Sequence, residues 1–222
     1  MPPKKFCTFC DELATTDDHV PPKCFFAKRK RENLITVPSC HKCNKYFGDE
    51  IDTHARNTIS ALHSNEGHWA VSEEIAGKRD RSYTVKSKNF EYIAGIIRPE
   101  EVTTPEGIFL GVAPAMNLNN PTMNKFFERL AQGLIRKIVG VRSIGYRVEW
   151  GSISTLLKYV GSPEELLRNI GPPTAGRNIG DDTFSYYGWF GKERPESLWV
   201  VRFYGGEEFY LFVTSRNLLR IP

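Results

Sequence analysis

All five cysteines of this 222-residue chain lie within its first 43 residues. Four of them form two pairs, Cys7-x2-Cys10 and Cys40-x2-Cys43, with 29 residues between the pairs. Each pair can present two thiolates to one ion from a tight turn, and four thiolates complete a tetrahedral zinc shell. A disulfide scaffold would spread its staples along the chain. A redox CxxC belongs beside a βαβ pattern, and none is visible here. The opening MPPKKFCTFC has no apolar run after its lysines, so no secretory signal is read and a reducing, cytoplasmic compartment is expected. The four cysteines therefore predict a structural Zn²⁺ site. Cys24, beside Phe25 and Phe26, reads as a small buried hydrophobe.

Three polar features lie between or beside the pairs: Asp17-Asp18-His19, Asn33 before an apolar LITV run, and Asn44 directly after Cys43. Val20-Pro21-Pro22 makes the segment after the histidine extended. Leu34–Val37 is a strand candidate ended by Pro38. From Asn44 onward, Phe47, Ile51, Ala55, Ile59 and Leu62 recur about every four residues, the pattern of an amphipathic helix. The local order is thus knuckle, extended Asp-His, strand, knuckle, helix.

That order resembles the zinc-supported HNH endonucleases of the ββα-metal fold, over roughly residues 7 to 65. The resemblance implies a general base at His19, a single divalent cation held by Asp18 and Asn44, and Asn33 as the residue that orients the base-bearing loop. It also implies DNA as substrate, with RNA the alternative, and 5′-phosphate and 3′-hydroxyl products. Small HNH proteins of this kind occur in phage-defence systems and on mobile elements, which raises an activating protein partner. The chemistry is coherent on its own terms. Phosphodiester hydrolysis needs a deprotonated water and a cation at the phosphate. Histidine titrates near neutrality, and a carboxylate with an amide oxygen suits Mg²⁺ or Mn²⁺. The family often carries a further histidine one turn after the last motif residue; here that position is Gly48. Asp17 reads as solvated or as a spare partner for the metal, His41 as an alternative zinc ligand that four thiolates make unnecessary, and Asp49, Glu50, Asp52 and His54 as a solvated helix face.

Lys28-Arg29-Lys30-Arg31 puts four consecutive cations between His19 and Asn33, and Lys45 follows the second knuckle. Grouped cations are what phosphate contact requires, so these five residues are the candidate nucleic-acid contacts. The formal charge of +4 permits such a partner without demanding one. With 40% hydrophobic and 25% charged residues, disordered and collagen-like classes are excluded. No apolar run is long enough for a membrane span.

The expected fold class is α+β: a zinc-stapled ββα-metal module at 1–66, a connecting region at 67–106, and a small α+β domain with an antiparallel sheet at 107–222. Strands are expected near Tyr83–Val85, Tyr92–Ile97, Ile108–Val112 and Tyr146–Trp150, and at Thr183–Phe190, Leu198–Tyr204 and Phe209–Thr214. A helix after Asn119-Asn120-Pro121 has the apolar face Met123, Phe126, Phe127, Leu130, Leu134, Ile135 and Ile138, with Arg129, Arg136 and Lys137 as its wet face. Short helices follow at Ile153–Val160 and after Ser162-Pro163. Two readings compete with the nuclease: a non-catalytic zinc module that binds nucleic acid or a protein, and a redox protein.

Overall fold

The computed structural model describes residues 5–62, 71, 73–83, 87–104 and 106–215. The chain is mixed α and β, with antiparallel sheets throughout. Its N-terminal part is a hairpin of β1 (Thr16–His19) and β2 (Thr36–Ser39), with Asp18 opposite Val37 and His19 opposite Thr36. The strand expected at Leu34–Val37 is displaced: β2 begins at Thr36 and runs through Pro38. In a two-stranded sheet proline can sit on an edge, and the Pro38 carbonyl accepts from both the backbone N–H and the hydroxyl of Thr8, at 2.9 and 2.8 Å.

Helix α1 (His41–Phe47) starts before Asn44, because Cys40 supplies the cap. Cys40 has extended backbone, and its Sγ accepts from the Cys43 N–H. A π-helical turn, Gly48–Asp52, joins α1 to α2 (Thr53–Ser60). Residues spaced by four drift around an ideal α-helix. The wider turn offsets that drift, so Phe47, Ile51, Ala55 and Ile59 all stay buried.

The middle of the chain holds α3 (Glu73–Ser82), α4 (Lys88–Ile96) and a second hairpin, β3 (Ile97–Thr103) with β4 (Phe109–Met116). Tyr92–Ile96 is therefore helical rather than a strand. The Ser87 hydroxyl accepts from the Phe90 N–H and caps α4, and that local signal outweighs the apolar run after it. Tyr83 sits in a turn just after α3; the rest of the strand expected there lies outside the described residues.

Next comes α5 (Pro121–Leu134), capped by Asn120, continued by a π-helical turn (Ile135–Val139) and stopped at Gly140 with φ 88°. β5 (Arg147–Ser152), α6 (Ile153–Val160), α7 (Pro163–Ile170), β6 (Ala175–Ile179), β7 (Phe184–Phe190), β8 (Ser197–Phe203) and β9 (Glu208–Thr214) complete the chain. The five strands form one antiparallel sheet in the order β5-β9-β8-β7-β6. β6 has no counterpart in the sequence reading, since Ala-Gly-Arg-Asn carries neither alternation nor bulk.

One core runs through both halves. Phe25, six residues after His19, stacks on Phe126 of α5 at 5.3 Å, lies 5.3 Å from Phe203 of β8, and accepts a hydrogen bond at its carbonyl from the Tyr204 hydroxyl. Burying one such ring contributes about 1.5–3 kcal/mol. Arg129 departs from the reading of α5. Only 3% exposed, it lies among the buried residues and not on the wet face.

The approach of α5 to the end of β1 depends on Gly133. A Cβ there would come within 2.5 Å of Val20 Cγ2. Gly133→Ala should lower stability by about 1–3 kcal/mol, because overpacking outweighs the gain in helix propensity. Denaturant unfolding checks this: the midpoint should fall, and an unchanged or raised midpoint would contradict the close approach.

Candidate metal centre and active site

Cys7, Cys10, Cys40 and Cys43 converge, with their Sγ atoms all within 4.8 Å of one another. Cys10 lies 3.6 Å from Cys40 and 3.5 Å from Cys43, sulfur to sulfur. Four sulfurs at about 2.3 Å from one tetrahedral ion would stand about 3.8 Å apart, so the cluster can hold a metal such as zinc. Two sulfurs already accept backbone N–H groups, Cys7 from Phe9 and Cys40 from Cys43, which suits thiolates. Burial and the neighbouring thiols push Cys43 above the ordinary thiol value, so an arriving ion would displace protons. Cys24 is apart from the cluster. Burial raises its thiol to about 12, and its sulfur lies 3.7 Å from the Asp52 carbonyl, so it stays a protonated packing group.

On β1, alternation puts Thr16 and Asp18 on one face. Asn44, on α1, donates from Nδ2 to Thr16 Oγ1 at 3.2 Å and to the Asp17 carbonyl at 3.1 Å. Asn44 and Asp18 thus belong to the same side of β1. With Nδ2 turned to the strand, Asn44 has its amide oxygen left to offer a cation. Asp18 is 5% exposed. Its Oδ1 accepts from the His19 N–H at 2.8 Å, and both of its oxygens accept from Arg129 Nη2 at 2.6 Å. Oδ2 keeps one lone pair for a further ligand; Oδ1 does not.

Arg129 and Asp52 are the two residues beside Asp18 that the sequence reading placed in solvent. Arg129 reaches from α5 to Asp18 with one terminal nitrogen and to Asp52 with the other. Its guanidinium lies 4.4 Å from the Phe47 ring centre and 5.8 Å from that of Phe9. Burial raises the Asp52 carboxyl to about 7, against the lowering pull of Arg129 and reinforced by the charge of Asp18. One guanidinium faces two buried carboxylates, which is why burial of Asp52 is not fully offset. Asp52 is not the solvated helix position expected. A sequence signal existed for Arg129: three residues after Phe126 and four before Gly133, it falls on the apolar stripe of α5.

His19 closes β1. The next residue, Val20, donates its N–H to the Ile35 carbonyl, extending the hairpin pairing. His19 borders a crevice too narrow for a water molecule, together with Val20, Pro21, Pro22, Phe126, Arg129 and Leu130. Burial first, then Lys23, lowers its pKa below the ordinary 6.5, so the imidazole is a free base at neutral pH. Asn33 lies in the loop between β1 and β2. It is exposed, with φ 54°, and its carbonyl accepts from Arg177 at 3.3 Å. Its observed place is a left-handed turn before β2, a conformation asparagine tolerates. Of the other nearby polar residues, His41, Asp49 and Glu50 are exposed, while His54 packs on Tyr92 at 4.4 Å.

The basic segment forms a short 3-10 turn at Lys28–Lys30. The Lys28 N–H donates to Glu74, Lys30 Nζ reaches the Asp181 carbonyl at 3.4 Å, and Arg31 Nε donates to the Phe26 carbonyl. Arg29 and Lys45 are exposed. Arg29, Lys30, Asn33 and Arg177 border a cleft of about 260 Å³ between this turn and β6. A wider cleft of about 860 Å³ opens between α5 and β5, and none of the candidate site residues lines it. No helix among the described residues is long and apolar enough to cross a membrane.

Comparison with known proteins gives no significant match to a family, to a curated protein or to a solved structure.

Two outcomes follow from this geometry. The purified chain should carry one zinc ion per molecule by elemental analysis, and Cys40→Ser should lose the ion and unfold at lower temperature. A metal-free wild type of equal stability would contradict the thiolate cluster. Arg129→Met should cost about 3–5 kcal/mol, because it leaves two carboxylates buried without their cation. Asp18→Asn added to Arg129→Met should recover part of that loss in a double-mutant cycle. A loss under about 1 kcal/mol for Arg129→Met would show that the ion triad is not structural.

Proposed function

We propose that the chain is a metal-dependent HNH endonuclease that hydrolyses phosphodiester bonds in DNA, with a zinc-stapled ββα-metal module at its N-terminus. The observation that carries the reading is the seating of a free-base histidine at the end of a strand whose hairpin leads, through a thiolate knuckle, into a helix that brings Asn44 back to that strand. His19 would take the proton of the attacking water. Oδ2 of Asp18 and the amide oxygen of Asn44 would hold one Mg²⁺ or Mn²⁺ ion, which supplies charge neutralisation at the phosphate and the leaving oxygen. The Asp18 contact to the His19 N–H keeps base and ligand in fixed relation. Lys28, Arg29, Lys30, Arg31 and Lys45 would meet the nucleic-acid backbone. The resemblance of the motif also suggests a defence or mobile-element setting with an activating partner.

One observation favours a second reading. Arg129 already neutralises Asp18, which is the state expected of a zinc module that binds nucleic acid without cutting it.

Plasmid nicking in Mg²⁺ or Mn²⁺ separates the two. Wild type should convert supercoiled to open-circular DNA, and His19→Ala should lose at least about a hundredfold in rate. Equal cleavage by the variant would remove His19 from the mechanism. Zinc-loaded wild type that binds DNA without nicking it would favour the second reading.

A further inference from the structure

Hairpin β3–β4 pairs with no other strand among the described residues. β3 is exposed at every position, and on or beside β4 Ile108 is 63%, Phe109 58%, Leu110 65% and Val112 63% exposed. A solitary two-stranded hairpin is marginal in water, and an open apolar edge is a template for another strand. The two outer edges differ. β3 reads Ile-Arg-Pro-Glu-Glu-Val-Thr, with three charges and a proline guarding its edge. β4 reads Phe-Leu-Gly-Val-Ala-Pro-Ala-Met and carries no charge over its whole length. Its guards are Pro114, near the end, and an irregularity at Leu110, where the register to β3 shifts between Val102 and Thr103.

We propose that the free edge of β4 is a dimer interface, occupied by β4 of a second copy of this chain in antiparallel pairing about a two-fold axis. A strand paired antiparallel with itself is self-complementary, as an isologous interface requires. With the axis at Gly111, Leu110 of each copy meets Val112 of the other on one face, an apolar cross-strand pair made twice. The product is a four-stranded sheet, β3-β4-β4-β3, whose two outer edges are both the guarded β3. The pairing therefore stops at two copies instead of growing into a filament. Ile108, Phe109, Leu110 and Val112, each more than half exposed, would lose part of that exposure in the pairing. The lack of charge on β4 argues for a like partner over an oppositely charged one, since the cores of homodimer interfaces are the more apolar class.

The test is mass in solution by light scattering on the zinc-loaded full chain, together with hydrogen exchange of amides 109–113. Wild type should have twice the mass of one chain, and exchange at β4 should slow on the order of tenfold between dilute and concentrated samples. Leu110→Lys with Val112→Lys should give a monomer that keeps its zinc and its far-ultraviolet spectrum. A wild type monomeric at all concentrations, a double variant that stays dimeric, or exchange at 109–113 independent of concentration would each overturn the proposal. The exchange measurement uses the wild-type chain, so it decides even if the double variant fails to fold.

Discussion

A buried guanidinium cannot stay unpaired in a protein interior, and the architecture around β1 follows from how Arg129 meets that constraint. Its two terminal nitrogens find acceptors and its charge an opposite charge at close range, while Nε is buried without a hydrogen-bond partner. Asp18 from β1 and Asp52 from the π-helical turn supply the charges, while Phe47 and Phe9 supply flat faces. Three segments far apart in sequence are held at one point: residues 18, 52 and 129. The thiolate cluster fixes β1, β2 and α1 relative to one another on one side of Asp18. Arg129 then fixes that assembly to α5, and α5 carries it onto the five-stranded sheet through Phe25, Phe126 and Phe203. The second half of the chain is thus part of the scaffold that places His19.

The same interaction sets the chemistry available. Asp18 is at once a structural anchor and the carboxylate nearest the candidate base. Arg129 shares its oxygens, and the remaining lone pair on Oδ2 decides whether a divalent ion can join. A catalytic carboxylate is often held in place by such a cation, which orients the group at the cost of weakening its negative charge. The raised value of Asp52 works against a further cation, because a protonated Asp52 leaves the triad without net negative charge.

The chemistry-bearing residues were legible where local rules decide. Two CxxC pairs predict four converging sulfurs from spacing alone, and Asn120-Pro121 predicts the start of α5. The β8–β9 hairpin follows from alternation and glycines. Helix α4 hides behind an apolar run that reads as a strand until its local Ser87 cap is weighed. Elements set by distant partners were not legible. Strand β6 has no pattern of its own and exists because β7 offers an edge. Arg129 and Asp52 look like surface charges by type, and only the packing of α5 onto α1 and the turn after it turns them inward. Asn33 takes up a left-handed turn before β2 and accepts from Arg177 at its carbonyl, a placement that its position in the motif does not foretell.

The account turns on whether Asp18 and Asn44 share one cation beside His19 while Arg129 stays in place. Anomalous diffraction from crystals of the zinc-loaded protein soaked in Mn²⁺ reads this directly, with the four-sulfur zinc peak as an internal control. The prediction is a second peak, at the manganese edge, bonded to Oδ2 of Asp18 and the amide oxygen of Asn44. A strong zinc peak with no manganese between those two residues, and Arg129 filling the space, would contradict it.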